Sequence, residues 1–149
     1  MCKVLIIYDS LTGNTARAAG LIAEGAASIE NVDVEIRKVD AVSVKEIEEA
    51  ETIILGCPTH GFTASKKIKE FLGKPEVREA LKGKNGAIFA SCRLFPSALK
   101  WLEKTLRSLD FKVMDRLSTR GYPKGNKVQA FRNLGRKMAE YAKSGHFNL

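Results

Sequence analysis

Apolar positions along the chain fall into short unbroken runs, separated by longer stretches in which apolar residues recur every three or four positions. Lys3–Tyr8 (KVLIIY), Thr52–Cys57 (TIILGC) and Gly86–Cys92 (GAIFASC) are runs of the first kind, as expected of strands buried on both faces. Asp33–Val39 alternates instead, with Val34, Ile36 and then Val39 as its apolar positions, which marks a strand at a sheet edge. Phe111–Leu117 reads as the last strand. The intervening stretches predict helices. Thr15–Ser28 is Ala-rich with Leu21 and Ile22 inward, and Val44–Ala50 is short and acidic. Ser65–Leu72 and Glu76–Leu81 are interrupted near Gly73 and Pro75. Ser97–Leu109 carries Leu99, Leu102, Leu106 and Leu109, and Gly125–Lys143 carries Val128, Phe131, Leu134, Met138 and Tyr141.

Strict alternation of strand and helix with short connections predicts an α/β fold. The expectation is a doubly wound five-stranded parallel sheet with helices on both faces, forming a single domain over residues 1–149. Right-handed crossovers favour the strand order 2-1-3-4-5, which places the topological switch point between the first and third strands. Ligands are then expected beyond the carboxyl ends of those strands, at Asp9–Thr15 and Cys57–Ala64.

Composition narrows the class. The chain has 149 residues, 44% hydrophobic and 28% charged, a globular balance rather than a disordered one. No apolar run approaches the ~20 residues of a membrane span, so no membrane insertion is expected, and the N-terminal apolar run reads as a strand rather than a signal peptide. Three cysteines (Cys2, Cys57, Cys92) form no paired motif, which fits a reducing, cytoplasmic setting and small buried thiols. The formal charge is +8, which raises nucleic acid as a partner. Its distribution is uneven, however. Residues 1–60 carry 5 Lys/Arg against 10 Asp/Glu, and residues 61–149 carry 20 against 7. No aromatic–basic stripe or nucleic-acid motif accompanies the surplus, so no specific nucleic acid is expected.

The first switch-point loop, Ser10-Leu11-Thr12-Gly13-Asn14-Thr15, joins a buried strand to a helix. Gly13 permits a tight backbone, and the hydroxyls and amide stand beside the free N–H groups of the helix start, the makings of a phosphate cradle. The loop has no lysine, so it is not the GxxxxGKS/T loop of a nucleoside triphosphatase, nor is it GxGxxG. It lacks the leading thiol of a cysteine-based phosphatase. Gly56 and Cys57 stand where a phospho-receiver domain would carry an aspartate. An ordinary Ser/Thr/Asn-rich helix cap is the plain alternative.

Val4-Leu5-Ile6-Ile7-Tyr8-Asp9-Ser10-Leu11-Thr12-Gly13-Asn14-Thr15 resembles the flavodoxin signature, an apolar strand followed by S/T-x-T-G-N-T. Gly56-Cys57-Pro58-Thr59-His60-Gly61 is similar to the second flavin loop of that family. The third loop and final helix resemble the flavodoxin domains of flavodiiron proteins. The resemblance implies FMN as cofactor, with its 5′-phosphate in the first loop, and a one-electron carrier acting between redox proteins. It also implies that Pro58, Thr59, His60 and Gly61 line the flavin ring. A glycine peptide turns at little steric cost, so Gly61 could present its carbonyl to flavin N5. Where many members carry an aromatic residue, this chain offers His60 or Phe62.

The third loop, Ser91-Cys92-Arg93-Leu94-Phe95, departs further from the family, which commonly has acidic and aromatic residues there. Phe95 or Leu94 is the candidate to cover the ring. Arg93 brings a cation where reduced flavin carries negative charge, worth on the order of 1–3 kcal/mol in a partly exposed site. Arg120–Lys124 follows the last strand on the same sheet edge, as a contact for the ring's rim or a partner, or as a solvated turn. No general base is paired with a nucleophile and no metal-ligand cluster is visible, which favours a carrier. The alternative is an FMN-dependent NAD(P)H or quinone reductase, with the basic loops holding an anionic substrate. The basic second half implies partners with an acidic docking face.

Overall fold

A computed structural model describes residues 2–147. Five parallel strands form the sheet: β1 (Cys2–Tyr8), β2 (Val32–Lys38), β3 (Thr52–His60), β5 (Asn85–Cys92) and β6 (Lys112–Arg120), in the order β2-β1-β3-β5-β6. This is the expected doubly wound order. A sixth, two-residue strand β4 (Thr63–Ala64) pairs antiparallel with the end of β3. The helices are α1 (Asn14–Ala27), α2 (Val44–Glu49), α3 (Lys66–Gly73), α4 (Pro75–Leu81), α5 (Ser97–Ser108) and α6 (Asn126–Phe147).

The alternation of side chains along each strand divides the apolar interior in two. Leu5, Ile7, Ile53, Leu55, Ile88 and Ala90 face one side, where α2, α3, α4 and α5 cover them. Val4, Ile6, Ile54, Ala87 and Phe89 face the other, against Leu21 and Ile22 of α1 and Phe131, Leu134 and Met138 of α6. β1 is apolar on both faces because it lies between β2 and β3, in register Val4↔Val34 and Val4↔Thr52. β2 is only half-buried, as an edge strand should be.

Two glycines bring α1 and α6 into backbone contact. A Cβ on Gly25 would lie 1.8 Å from the Arg132 carbonyl oxygen, and one on Gly135 would lie 1.9 Å from that of Ile22. Pro75 separates α3 from α4, taking the first helical position where its missing N–H costs nothing. Polar helix surfaces carry paired charges, such as Arg116 and Arg107 on Glu103.

The largest departure from expectation is at the carboxyl edge. β3 continues past Cys57 to His60 and β6 past Leu117 to Arg120. Both extensions are polar, the first beginning with Pro58, so apolar runs stop short of them. Helix α6 continues past Lys143, the expected end of the last helix, to Phe147. No helix among the described residues is long and apolar enough to cross a membrane.

Candidate functional site

The loop after β1 is anchored from below. Asp9 is buried, its amide donates to the Gly56 carbonyl at 3.0 Å, and its carboxylate accepts a 2.6 Å hydrogen bond from Ser65 Oγ. This ties the first loop to the residue that precedes α3. Gly13 is the N-cap of α1, with φ 91°, a conformation suited to glycine. It provides no side-chain cap. Ser10 Oγ accepts the Ala16 amide at 3.2 Å, and the earlier amides, of Asn14 and Thr15, have no intrahelical acceptor. The space where a Gly13 side chain would stand is open. Open amides at the positive end of a 14-residue helix suit an anion.

Two hydroxyls close the far side of this arrangement. Thr15 Oγ1 and Ser91 Oγ share a buried hydrogen bond of 2.8 Å, joining the start of α1 to the end of β5. Two residues before Ser91 on β5, the buried Phe89 packs its ring edge-on to Phe131 and fills the space that a side chain on Gly56 would need.

The second loop is a tight hairpin. Thr59 pairs with Ala64 and His60 with Thr63, and the connecting residues Gly61 and Phe62 have φ of 54° and 68°. Positive φ at both central positions defines a type I′ turn, which matches the twist of paired strands. Gly61 meets this at no cost, whereas Phe62 is held in a conformation unfavourable for a bulky residue. Its ring is exposed at the turn's tip. Thr59 Oγ1 is buried and has no hydrogen-bond partner.

Between these loops lies a cleft of about 500 Å³. Thr12 and Asn14 line it from the first loop, Pro58, Thr59 and His60 from the second, and Ser91, Cys92 and Arg93 from the third. Arg120 and Gly121 complete it from the end of β6. Ser10 and Thr15 brace the first loop through their hydrogen bonds, and the exposed Gly13 leaves its approach open. Leu11, Gly61 and Phe62 are not part of the cleft lining. Leu94 and Phe95 line a neighbouring groove with Tyr122. Sequence reasoning left Arg120 open between rim and solvated turn, and did not foresee the hydrogen bond between Ser65 and Asp9. The available signal was positional, since Arg120 follows a parallel strand at the same sheet edge as the other loops. A depression of about 570 Å³ bounded by Gly73, Lys82 and Asp110 lies at the opposite edge, where β5 and β6 begin.

The cysteines are free and buried. Burial pushes the Cys57 thiol up to about 12, and the nearby Asp9 charge adds to this. Burial also raises the Cys92 thiol, outweighing the opposing pull of Arg120 and Lys127. Both are therefore packing groups rather than nucleophiles. Among the described residues, no group of three or more His, Cys, Asp and Glu side chains is placed to hold a metal ion.

These features fit a phosphate-bearing aromatic cofactor. The helix amides and Thr12 suit the phosphate, and the partnerless Thr59 hydroxyl on the cleft wall lacks only a ligand group to bond. The cleft's volume falls within the usual range for cofactor sites.

The flavodoxin family profile matches residues 6–130. A flavodoxin from Maridesulfovibrio salexigens is 32% identical over 136 residues, covering 86% of this chain and 92% of that protein. A flavodoxin from Aquifex aeolicus is 42% identical over 71 residues, covering 48% of this chain, which thus spans only 38% of the length of that relative. A solved flavodoxin structure from the domain Archaea superposes with a TM-score of 0.86 at 28% identity, covering 95% of this chain and 99% of that one. The match in sequence over most of the chain, and in fold over nearly all of it, leads to one conclusion: this chain belongs to the flavodoxin family.

Proposed function

We propose that this chain binds FMN in the carboxyl-edge cleft and carries single electrons between redox partner proteins. Flavodoxins bind FMN, which when bound supplies reversible one-electron chemistry. The observation that carries the reading is the convergence of open α1 amides and the buried, partnerless Thr59 hydroxyl on one cleft. In this reading Ser10, Leu11, Thr12, Gly13, Asn14 and Thr15 form the phosphate loop, with Gly13 keeping its approach free of a side chain. Pro58, Thr59 and His60 hold the ring, and the Gly61–Phe62 turn forms its edge. Ser91 and Cys92 close the cleft from β5. Leu94, Phe95 and Phe62 stand exposed around it, where a covering group or a partner would touch them.

Arg93 is exposed, lines the cleft and has no carboxylate within ion-pair distance among the described residues. Its positive charge favours an anion in the cleft, so Arg93→Glu is expected to make the second one-electron potential more negative. Redox titration checks this, and an unchanged second potential removes Arg93 from the site.

The primary experiment is direct. Purified chain is expected to be yellow, to absorb near ~450 nm and to release FMN rather than FAD. Thr59→Val is expected to weaken FMN binding without altering the fold. Colourless protein that takes up no added FMN overturns the reading.

The second reading, an FMN-dependent reductase of nicotinamide cofactors or quinones, draws on the cations Arg93 and Arg120 in the cleft lining. Anaerobic addition of NADPH decides between them. Direct bleaching favours the reductase, and no change without a separate reductase favours the carrier. On either reading the basic edge suits partners or substrates that carry negative charge.

A further inference from the structure

Next to the cofactor cleft lies a second depression of about 470 Å³, between the loop after β5 and the loop after β6. Its rim carries Arg120, Lys124 and Lys127, and its wall carries Leu94, Phe95 and Tyr122. Cys92 and Arg120 line both depressions, so the two share a ridge. The three wall side chains are 65%, 60% and 57% exposed, an unusual concentration of large apolar surface with no packing role.

The cations are equally unused. Elsewhere in the second half, Arg107 and Arg116 pair with Glu103, Arg132 with Glu24 and Lys137 with Asp115. Among the described residues, Arg120, Lys124 and Lys127 have no carboxylate within ion-pair distance, and no acidic residue lines the groove. Exposed aromatic anchors inside a ring of uncompensated charge are the composition of an interface core and its steering rim.

We infer that this groove is the docking site for a small acidic redox protein. A loop of the partner bearing an apolar residue flanked by Asp or Glu would seat the apolar group against Phe95 and Tyr122. Its carboxylates would meet Lys124, Lys127 and Arg120. Charge complementarity selects the partner, and the shared ridge at Arg120 holds it against the cofactor cleft. The inference rests on the electron-carrier reading and assigns that reading its contact surface.

The test uses the FMN-loaded chain and an acidic [4Fe–4S] ferredoxin as probe, with binding measured by calorimetry at low and physiological ionic strength. Wild type is expected to bind more weakly as salt rises. The double reversal Lys124→Glu/Lys127→Glu is expected to weaken binding about tenfold at low salt and to flatten the salt dependence. Phe95→Ser should weaken binding at both ionic strengths. Lys82→Glu/Lys112→Glu, an equal charge change at exposed positions on the opposite sheet edge, controls for net charge and is expected to have little effect. FMN affinity, measured in parallel, should stay within about twofold in the two charge-reversal variants.

Undiminished ferredoxin binding in the double reversal, with FMN still bound, overturns the groove and leaves the carrier reading standing. Equal weakening by the control pair overturns it too, because net charge then explains the effect. A double reversal that changes NADPH binding and not ferredoxin binding reassigns the groove to a nucleotide. A wild-type chain that binds no FMN removes the carrier reading, and the groove's role with it.

Discussion

The Gly61–Phe62 turn places a bulky residue at φ 68° beside the candidate site, and replacing Phe62 with Asn should separate stability from function. A left-handed conformation costs an L-residue roughly 1–2 kcal/mol, and asparagine tolerates it far better than phenylalanine does. The loss to set against this relief is the burial of the ring. Phe62 is 77% exposed, so less than a quarter of its roughly 200 Å² is covered. At about 25 cal/mol per Å² that burial is worth about 1 kcal/mol at most, and asparagine keeps part of it. The apoprotein should therefore gain about 0.5–1 kcal/mol from Phe62→Asn. Urea unfolding is expected to show a higher midpoint with an unchanged slope. FMN affinity should fall, because the strained residue is an exposed aromatic at the edge of the cleft and strain of this kind persists where a site uses it. A lower apoprotein midpoint refutes the strain argument. A higher midpoint with undiminished FMN affinity refutes the claim that the site is what retains it.

Other consequences follow from packing and charge. Gly25→Ala should destabilise by about 2–3 kcal/mol or more, since the new Cβ would lie 1.8 Å from the Arg132 carbonyl oxygen. Gly20→Ala on the same helix meets open space and should stabilise by about 0.5–1 kcal/mol. Thermal unfolding of the pair checks both signs. Ser65→Ala removes the hydroxyl that donates to the buried Asp9 carboxylate and should cost about 2–3 kcal/mol. Ser65 makes no cap bond to α3, so a loss confined to helix content would contradict this account. Glu103 is held below the usual carboxylate range, first by its hydrogen bond from Arg116 and then by that from Arg107. Its contribution is full above the ordinary value of 4.5 and is lost as pH falls through the lower folded value. Glu103→Gln should flatten the acid limb of the stability–pH curve, and an unchanged limb would show that the pair contributes nothing.

The strand order was legible because β1, β3 and β5 are covered on both faces and their apolar runs have no competing explanation. The position of the first loop was legible because Gly13 and the Ser/Thr/Asn run mark a tight strand-to-helix turn. The edge extensions were not. Pro58, Thr59 and His60 are strand residues in β3, yet proline and polar side chains end an apolar run by any sequence criterion. Strand β4 has only two residues, Thr63 and Ala64, and its partner is set by a turn whose second central residue is Phe62, not the expected glycine or asparagine. The tie between Asp9 and Ser65 spans 56 positions, and no local pattern marks it. The entry of Arg120 into the cleft depends on how far β6 runs beyond Leu117.

The fold also changes what the net charge of +8 signifies. In sequence, the surplus is a property of a half-chain, and any function that binds an anionic ligand would account for it. In three dimensions part of it is neutralised or occupied. Glu103 takes two arginines, Lys67 meets Asp40, Lys69 lies 5.4 Å from the Trp101 ring centroid, and Lys84 donates to the Glu48 and Ala50 carbonyls. Arg93, Arg120, Lys124 and Lys127 remain without carboxylate partners at the carboxyl edge, interleaved with Leu94, Phe95 and Tyr122. A duplex-binding surface would need cations spaced along a continuous track to meet successive phosphates. Three cations around one groove, with Arg93 in the adjoining cleft, suit a compact acidic patch instead. The location of the unpaired charge, rather than its total, is what bears on function.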